Sequence, residues 1–320
     1  MIRQPDFFIV GAPKCGTTSL AYYLGSHPQV FVTDPKEPNY FARSLSVPGM
    51  WLSQQPWHTS LEQYLELYAA ADEESLAVGE ASTRYLRCVD AQLEIRGLFP
   101  NARMIACLRN PVDLAESWHA QKVLEGQEPE LDFERAWRFH TGDELRSAEP
   151  HGLAAIDALD YTKVASIGSQ LRQLHELFPA DSIQVVFQDE LARKPRQTYV
   201  RVLEFLGVAD DGREEFPRLN FRSKRNFASA GGLGQSNQPA VKWLLGSGES
   251  NQKTRPVGAS ADLRREITDH FANEIDLLEE FTGRDLDAWR APSELRAVKA
   301  AVEESLKPNA GQQTPATSEV

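Results

Sequence analysis

Ten residues near the N-terminus, VGAPKCGTTS from position 10 to 19, hold the first chemical signal of the chain. Gly11 and Gly16 keep the G-x-x-x-x-G spacing of a loop whose backbone N–H groups, with the positive end of a following helix, cradle an anion. In a nucleoside-triphosphate site the lysine follows the second glycine and the next hydroxyl holds Mg²⁺. Here Thr17 occupies that place, and the only lysine of the loop is Lys14, three residues earlier. From there it approaches a bound anion on another side, so the chemistry need not be phosphoryl transfer. A triphosphatase also calls for an acid after a hydrophobic strand to support Mg²⁺. ARMIACLRNP ends in Arg109 and Asn110 instead, and VVFQDE offers only Asp189. A P-loop kinase or NTPase stays open on that residue alone.

Such a loop needs a buried strand before it and a helix after it. DFFIVG (6–11) is a short apolar run ending in glycine, the profile of a buried parallel strand. TTSLAYYLGSH (17–27) reads as a helix stopped by Gly25 and Pro28. ARMIACLRNP (102–111) predicts a second buried strand, after which Asn110 N-caps a helix through Leu124 with Pro111 at its first position. SIQVVFQ (182–188) predicts a third strand, preceded by a helix with Val164, Ile167, Leu171, Leu174 and Leu177 on one stripe. Strands alternating with helices imply an α/β fold, three-layer α/β/α around a mainly parallel sheet. Segment 261–289 reads as helix, with Leu263, Ile267, Phe271, Ile275, Leu278 and Phe281 along one side. Residues 42–60 and 226–260 read as mobile loops. The expected division is one domain over 1–290, then a C-terminal helix and disordered tail over 291–320.

Composition excludes several classes. The net charge of −12 over 320 residues argues against nucleic-acid binding, which needs a basic face. It also counts mildly against polyanionic acceptors. Cys15, Cys88 and Cys107 form no metal spacing and no even-numbered disulfide framework, the pattern of a reducing compartment. No apolar run reaches membrane-spanning length, and strand-like sequence from Phe7 leaves no room for a signal peptide. A cytoplasmic location is expected.

Four ordered motifs now carry a resemblance. FFIVGAPKCGTTSL is similar to the 5′-phosphosulfate loop of sulfotransferases that use 3′-phosphoadenosine 5′-phosphosulfate (PAPS), and RNPVDLAESWH resembles their 3′-phosphate motif. PKEPNYF (35–41) and GEASTRYL (79–86) resemble two further segments of the bacterial and glycan-modifying branch, and the likeness spans roughly residues 6–290. The resemblance implies a PAPS-dependent sulfotransferase with no metal. Lys14 would sit near the oxygen bridging phosphorus and sulfur, stabilising charge as the bond to sulfur breaks. The donor's 5′ end would lie on Cys15, Gly16, Thr17, Thr18 and Ser19. Arg109 and Ser117 would hold the 3′-phosphate, and Lys253 and Arg255 match the cations of a loop that folds over the cofactor. Thr254 stands where that loop often has glycine.

The acceptor's proton needs a base. Glu37 matches the glutamate position of the family motif, with Glu80 and His119 as rivals. Next to Glu80 the glycan branch usually has a lysine, and this chain has Ala81. His27, before Pro28, reads as a helix-end residue. The acceptor could be a carbohydrate, a lipid or a natural-product hydroxyl, since fold alone does not choose. A non-catalytic nucleotide-binding protein is a further alternative. Trp51, Trp57 and Trp243 could stack on a sugar or an apolar scaffold.

Overall fold

The computed structural model describes residues 2–45, 60–142, 159–219 and 256–291. Its first element is the expected strand, β1 (Phe7–Gly11), buried along its whole length. Helix α1 (Thr17–Gly25) follows the glycine loop. Next come β2 (Val30–Val32), a 3₁₀ segment at Tyr40–Leu45, α2 (Leu61–Glu66) and β3 (Ala77–Ala81). A 3₁₀ turn at Tyr85–Arg87 leads into α3 (Val89–Leu98), β4 (Arg103–Leu108) and α4 (Pro111–Leu124). Helices α5 (Phe133–Thr141), α6 (Tyr161–Ala165) and α7 (Ile167–Leu177) precede β5 (Ile183–Phe187). The described chain then runs through α8 (Gln188–Arg193), α9 (Pro195–Leu206), α10 (Ala261–His270), α11 (Ala272–Thr282) and α12 (Asp287–Arg290).

The five strands form one sheet in the order β2-β3-β1-β4-β5, and every pairing is parallel. Helices flank it, in the expected α/β/α layering. Because all strands run the same way, the segments that follow them emerge along one edge. In open α/β sheets that edge is where ligands bind. The glycine loop leaves the central strand β1. Arg109 leaves β4 on one side of it, and the segments after β3 and β2 leave on the other.

Strands β1, β4 and β5 and helix α4 lie where the sequence puts them. Asn110 caps α4 as expected, its side-chain oxygen accepting from Val112 N and Asp113 N at 3.0 and 3.3 Å. Strand β3 carries no such sequence signature, because AVGEA places a glycine and a glutamate in a fully buried strand. A Cβ at Gly79 would come within 2.3 Å of the Phe7 carbonyl and 2.7 Å of its ring, so only glycine lets β3 lie against β1 there. Segment 261–289 departs from the single helix expected of it. Phe271 leaves helical geometry and separates α10, which packs on α4, from α11, which packs on α7. One straight helix could not serve both surfaces. Of the expected loop 42–60, residues 42–45 belong to the 3₁₀ segment. Ser60 caps α2, and residues 46–59, with Trp51 and Trp57, lie outside the described residues, as do Trp243, Lys253, Arg255 and the tail from 292.

Candidate active site

The glycine loop is built to present donors. Lys14 and Gly16 both take positive φ, 62° and 90°, which turns the chain sharply into α1. Gly16 is the N-cap of that helix, with no side-chain cap, so the first N–H groups of α1 keep no capping partner from a side chain. A nine-residue helix starting this way offers its positive end and several N–H donors to an anion. Arg109 ties the loop to β4 by donating from Nη1 to the Lys14 carbonyl at 3.3 Å. Its Nε is buried with no hydrogen-bond partner among the described residues. A buried guanidinium nitrogen without an acceptor is costly, and an anionic ligand would satisfy it.

These groups line a cavity of about 750 Å³ at the C-terminal edge of the sheet. Lys14, Gly16, Thr17, Thr18 and Ser19 form its loop side, Arg109 and Ser117 its β4 side, and Glu37 lies across from them. The sheet thus brings together most of the residues singled out in the sequence. Cys15 is the exception on the loop. Its side chain is fully buried, with Sγ directed at the Pro13 carbonyl 3.4 Å away, and burial pushes the thiol up to about 12. Its side chain therefore does not face the cavity.

Sequence reasoning missed most of the cavity's charge. Lys36, Arg84, Arg87, Lys122 and Arg218 join Lys14 and Arg109, making seven cations against two carboxylates, Glu37 and Glu125, among the described residues. The protein is acidic as a whole, and this cavity is the reverse. Lys122 is buried, its Nζ lies 4.0 Å from the centre of the Trp118 ring, and it donates to Glu125 and Gln127 at 2.9 Å each. Lys14 Nζ donates to Gln121 Oε1 at 2.9 Å, which aims it across the cavity towards α4. No signal in a single sequence marks Lys122 or Arg84, because both read as ordinary surface positions until the sheet order places them.

Glu37 occupies a loop held in an unusual shape, with φ of 62° at Glu37 and 51° at Asn39. Its N–H donates to Ala81 O at 2.9 Å, and Asn39 N donates to Ser82 Oγ at 2.9 Å, so β3 fixes the loop. The Glu37 carboxylate accepts from Lys36 Nζ at 2.6 Å and from Thr83 Oγ1 at 3.2 Å, and its side chain is 34% exposed. Burial pulls its pKa upward, but the Lys36 charge and hydrogen bond, the Thr83 hydroxyl and the Arg84 charge hold it below the ordinary carboxylate value. It is ionised at neutral pH and can accept a proton.

The two rivals are enclosed elsewhere. Glu80 is fully buried and accepts from Tyr64 and Tyr85 hydroxyls at 2.9 and 2.8 Å and from Ser82 Oγ at 2.6 Å. Burial pushes its pKa up to about 7 against those hydrogen bonds, helped by repulsion from Glu37. Through Ser82 it supports Asn39, and so positions Glu37 without reaching the cavity. His119 is buried, its Nε2 is 2.8 Å from the Glu130 carbonyl and its ring is packed against Phe133 and Tyr161. His27 bridges Ala209 O and Gln29 N, a structural staple. Asp189, the one imitation of a Mg²⁺ acid, is engaged by Arg284 at 2.7 Å and does not line the cavity.

Known proteins resemble this chain over most of its length. Residues 4–291 match the sulfotransferase domain family. The bifunctional heparan sulfate N-deacetylase/N-sulfotransferase 2 of Bos taurus is 24% identical over 300 residues, covering 90% of this chain and 31% of that protein. The corresponding enzyme 3 of Homo sapiens is 24% identical over 234 residues, covering 72% of this chain and 24% of its own length. The chain therefore spans about a third or less of the curated relatives it matches. A sulfotransferase from Alicyclobacillus acidocaldarius superposes with a TM-score of 0.69 at 26% identity, covering 91% of this chain and 100% of that one. With the family matched across nearly the whole chain, the protein belongs to the sulfotransferase domain family.

Proposed function

We propose that the chain moves a sulfuryl group from PAPS to a hydroxyl or amine of a carbohydrate acceptor, releasing adenosine 3′,5′-bisphosphate. The observation that carries this reading is the local charge. An acidic protein gathers, among its described residues, seven cations around a glycine loop whose lysine precedes the second glycine. Such a donor would supply an activated S–O bond and two separated anionic ends. The loop N–H groups with Thr17, Thr18 and Ser19 suit one end, and Arg109 with its partnerless Nε, together with Ser117, suits the other. Lys14, aimed across the cavity, would stabilise charge developing on the leaving oxygen. Glu37, ionised and a third exposed, would take the acceptor's proton.

A carbohydrate acceptor is favoured over a lipid or a natural product by the relatives, which are named as heparan sulfate N-sulfotransferases. The kinase alternative is weakened because Asp189 is committed to Arg284. The test is transfer of labelled sulfate from PAPS to a panel of carbohydrates, lipids and aromatic alcohols. Labelled carbohydrate, formed without ATP, is the expected product. Label on lipid or aromatic alcohol alone would remove the carbohydrate reading. Transfer from γ-labelled ATP, with none from PAPS, would remove the sulfotransferase reading altogether.

A further inference from the structure

Helix α4 turns one face to the reaction cavity, and the residues on that face follow helical spacing. Ser117, Trp118, Gln121, Lys122 and Glu125 all line the space, with Glu125 as the C-cap of the helix. Residues three and four apart are neighbours on a helix surface, so these side chains succeed one another turn by turn along the cavity. Gln121 is half-buried and makes two hydrogen bonds of opposite sense. Its Oε1 accepts from Lys14 Nζ at 2.9 Å, and its Nε2 donates to Glu125 Oε1 at 2.8 Å. The other oxygen of Glu125 accepts from Lys122 Nζ at 2.9 Å. Lys14, Gln121, Glu125 and Lys122 thus form one continuous row. An ammonium only donates and an ionised carboxylate only accepts, so the neighbours of Gln121 leave its amide one orientation, nitrogen towards Glu125 and oxygen towards Lys14.

An amide is the group that suits this position. A carboxylate at 121 would hold the ammonium but cancel its charge, and it would set a negative group beside an anionic ligand. An apolar side chain would leave the ammonium to a flexible four-carbon stem, which is entropically costly to hold in one place. An amide oxygen fixes the ammonium and leaves its charge intact. Because an ammonium carries three N–H donors, a bond to Gln121 and a bond to a ligand oxygen are compatible. Resting on the role given to Lys14 above, we propose that Gln121, oriented by Glu125, is a positioning residue for sulfuryl transfer. It holds the Lys14 ammonium at a fixed place across the cavity, where the leaving oxygen of the donor gains charge, and it acts on the rate through Lys14.

Two measurements test this, one of them independent of turnover. In the ligand-free protein, brief labelling with acetic anhydride followed by mass spectrometry reads the availability of each lysine amine, with Lys163, 62% exposed, as the internal reference. Gln121→Leu keeps much of the side-chain volume without the amide. It removes a bond to the charged form of Lys14 and should raise labelling of Lys14 by at least about threefold. In steady-state kinetics the same variant should lower kcat by about 10–100-fold, while KM for PAPS and affinity for adenosine 3′,5′-bisphosphate stay within about twofold. A general loss of structure would not divide the two constants in this way. The Lys14→Ala/Gln121→Leu double variant should be no slower than Lys14→Ala, because nothing is left to position. Glu125→Gln no longer dictates which way the Gln121 amide faces, and it should move labelling and kcat in the same directions by less. Unchanged labelling of Lys14 in Gln121→Leu, or a double variant slowed by the product of the two single effects, would overturn the proposal. No transfer from PAPS by the parent protein would instead remove the reading beneath it, and the labelling would still decide whether Gln121 holds Lys14.

Discussion

Glu37 and Glu80 lie on neighbouring segments, both accept hydrogen bonds from hydroxyls, and their surroundings drive them in opposite directions. Glu37 has Lys36 at 2.6 Å and a third of its surface open to the cavity, and its pKa is held down. Glu80 has three hydroxyl donors, no cation bonded to it among the described residues and no exposure, and its pKa is pushed up to about 7. Hydrogen bonds from neutral hydroxyls offset part of the desolvation of a buried carboxylate, whereas an adjacent ammonium outweighs it. In the function proposed above, the first carboxylate would react, while the second supports its loop through Ser82 and Asn39.

The largest effect that separates them is on rate. Glu37→Gln keeps the size of the side chain but cannot take a proton, and turnover should fall by about 10²–10⁴-fold with donor-product affinity near normal. Steady-state kinetics paired with calorimetry checks this. Full turnover in the variant would remove Glu37 from the mechanism. Lys14→Ala should come next, lowering kcat by about 10²–10³-fold and affecting affinity less, because its charge matters most as the leaving oxygen becomes negative. Weaker donor binding at unchanged kcat would assign Lys14 to ground-state binding instead.

Glu80→Gln should have the smallest effect on rate and a distinctive one on stability. The folded-state pKa of Glu80 is raised from 4.5 to about 7, so the fold binds an extra proton between those values. Its contribution is fully present below pH 4.5 and is lost as pH rises through 7. The variant has no such loss. Its melting temperature should be furthest below that of the parent near pH 4.5 and should close the gap, or reverse it, by pH 8. A gap independent of pH would mean that Glu80 does not titrate across this window. Turnover at pH 8 should change by only a few-fold if Glu80 acts solely by positioning.

The two carboxylates also mark how far the sequence could be read. The glycine loop, β1, β4 and β5 were legible because each follows from a short pattern: an apolar run, a turn residue or a cap. Arg109 was singled out by its place at a strand end and the resemblance of its motif, and Glu37 by resemblance alone. Strand β3 was not, because Gly79 and Glu80 break its apolar run for reasons that lie on other segments, namely the Phe7 ring and three hydroxyl groups. The positive cavity was invisible for the same reason. Lys36, Arg84, Arg87 and Lys122 follow β2, β3 or β4 at separate places in the chain and converge only once the strand order is known. Composition pointed the other way, since −12 is a sum over the whole surface and says nothing of one cleft. The break at Phe271 was illegible because the helical stripe continues across it while the packing partner changes from α4 to α7.

Calorimetric titration with adenosine 3′,5′-bisphosphate tests most directly whether the cavity is a site for a donor with two anionic ends. Without added metal it should bind, and at one hundred times its Kd it should stabilise the fold by about 2.7 kcal/mol. Arg109→Ala should weaken that binding by at least about tenfold, through loss of a charge-assisted phosphate contact. ATP with Mg²⁺ should bind much more weakly than the bisphosphate. Tight binding of ATP with Mg²⁺, with none of the bisphosphate, would contradict the account.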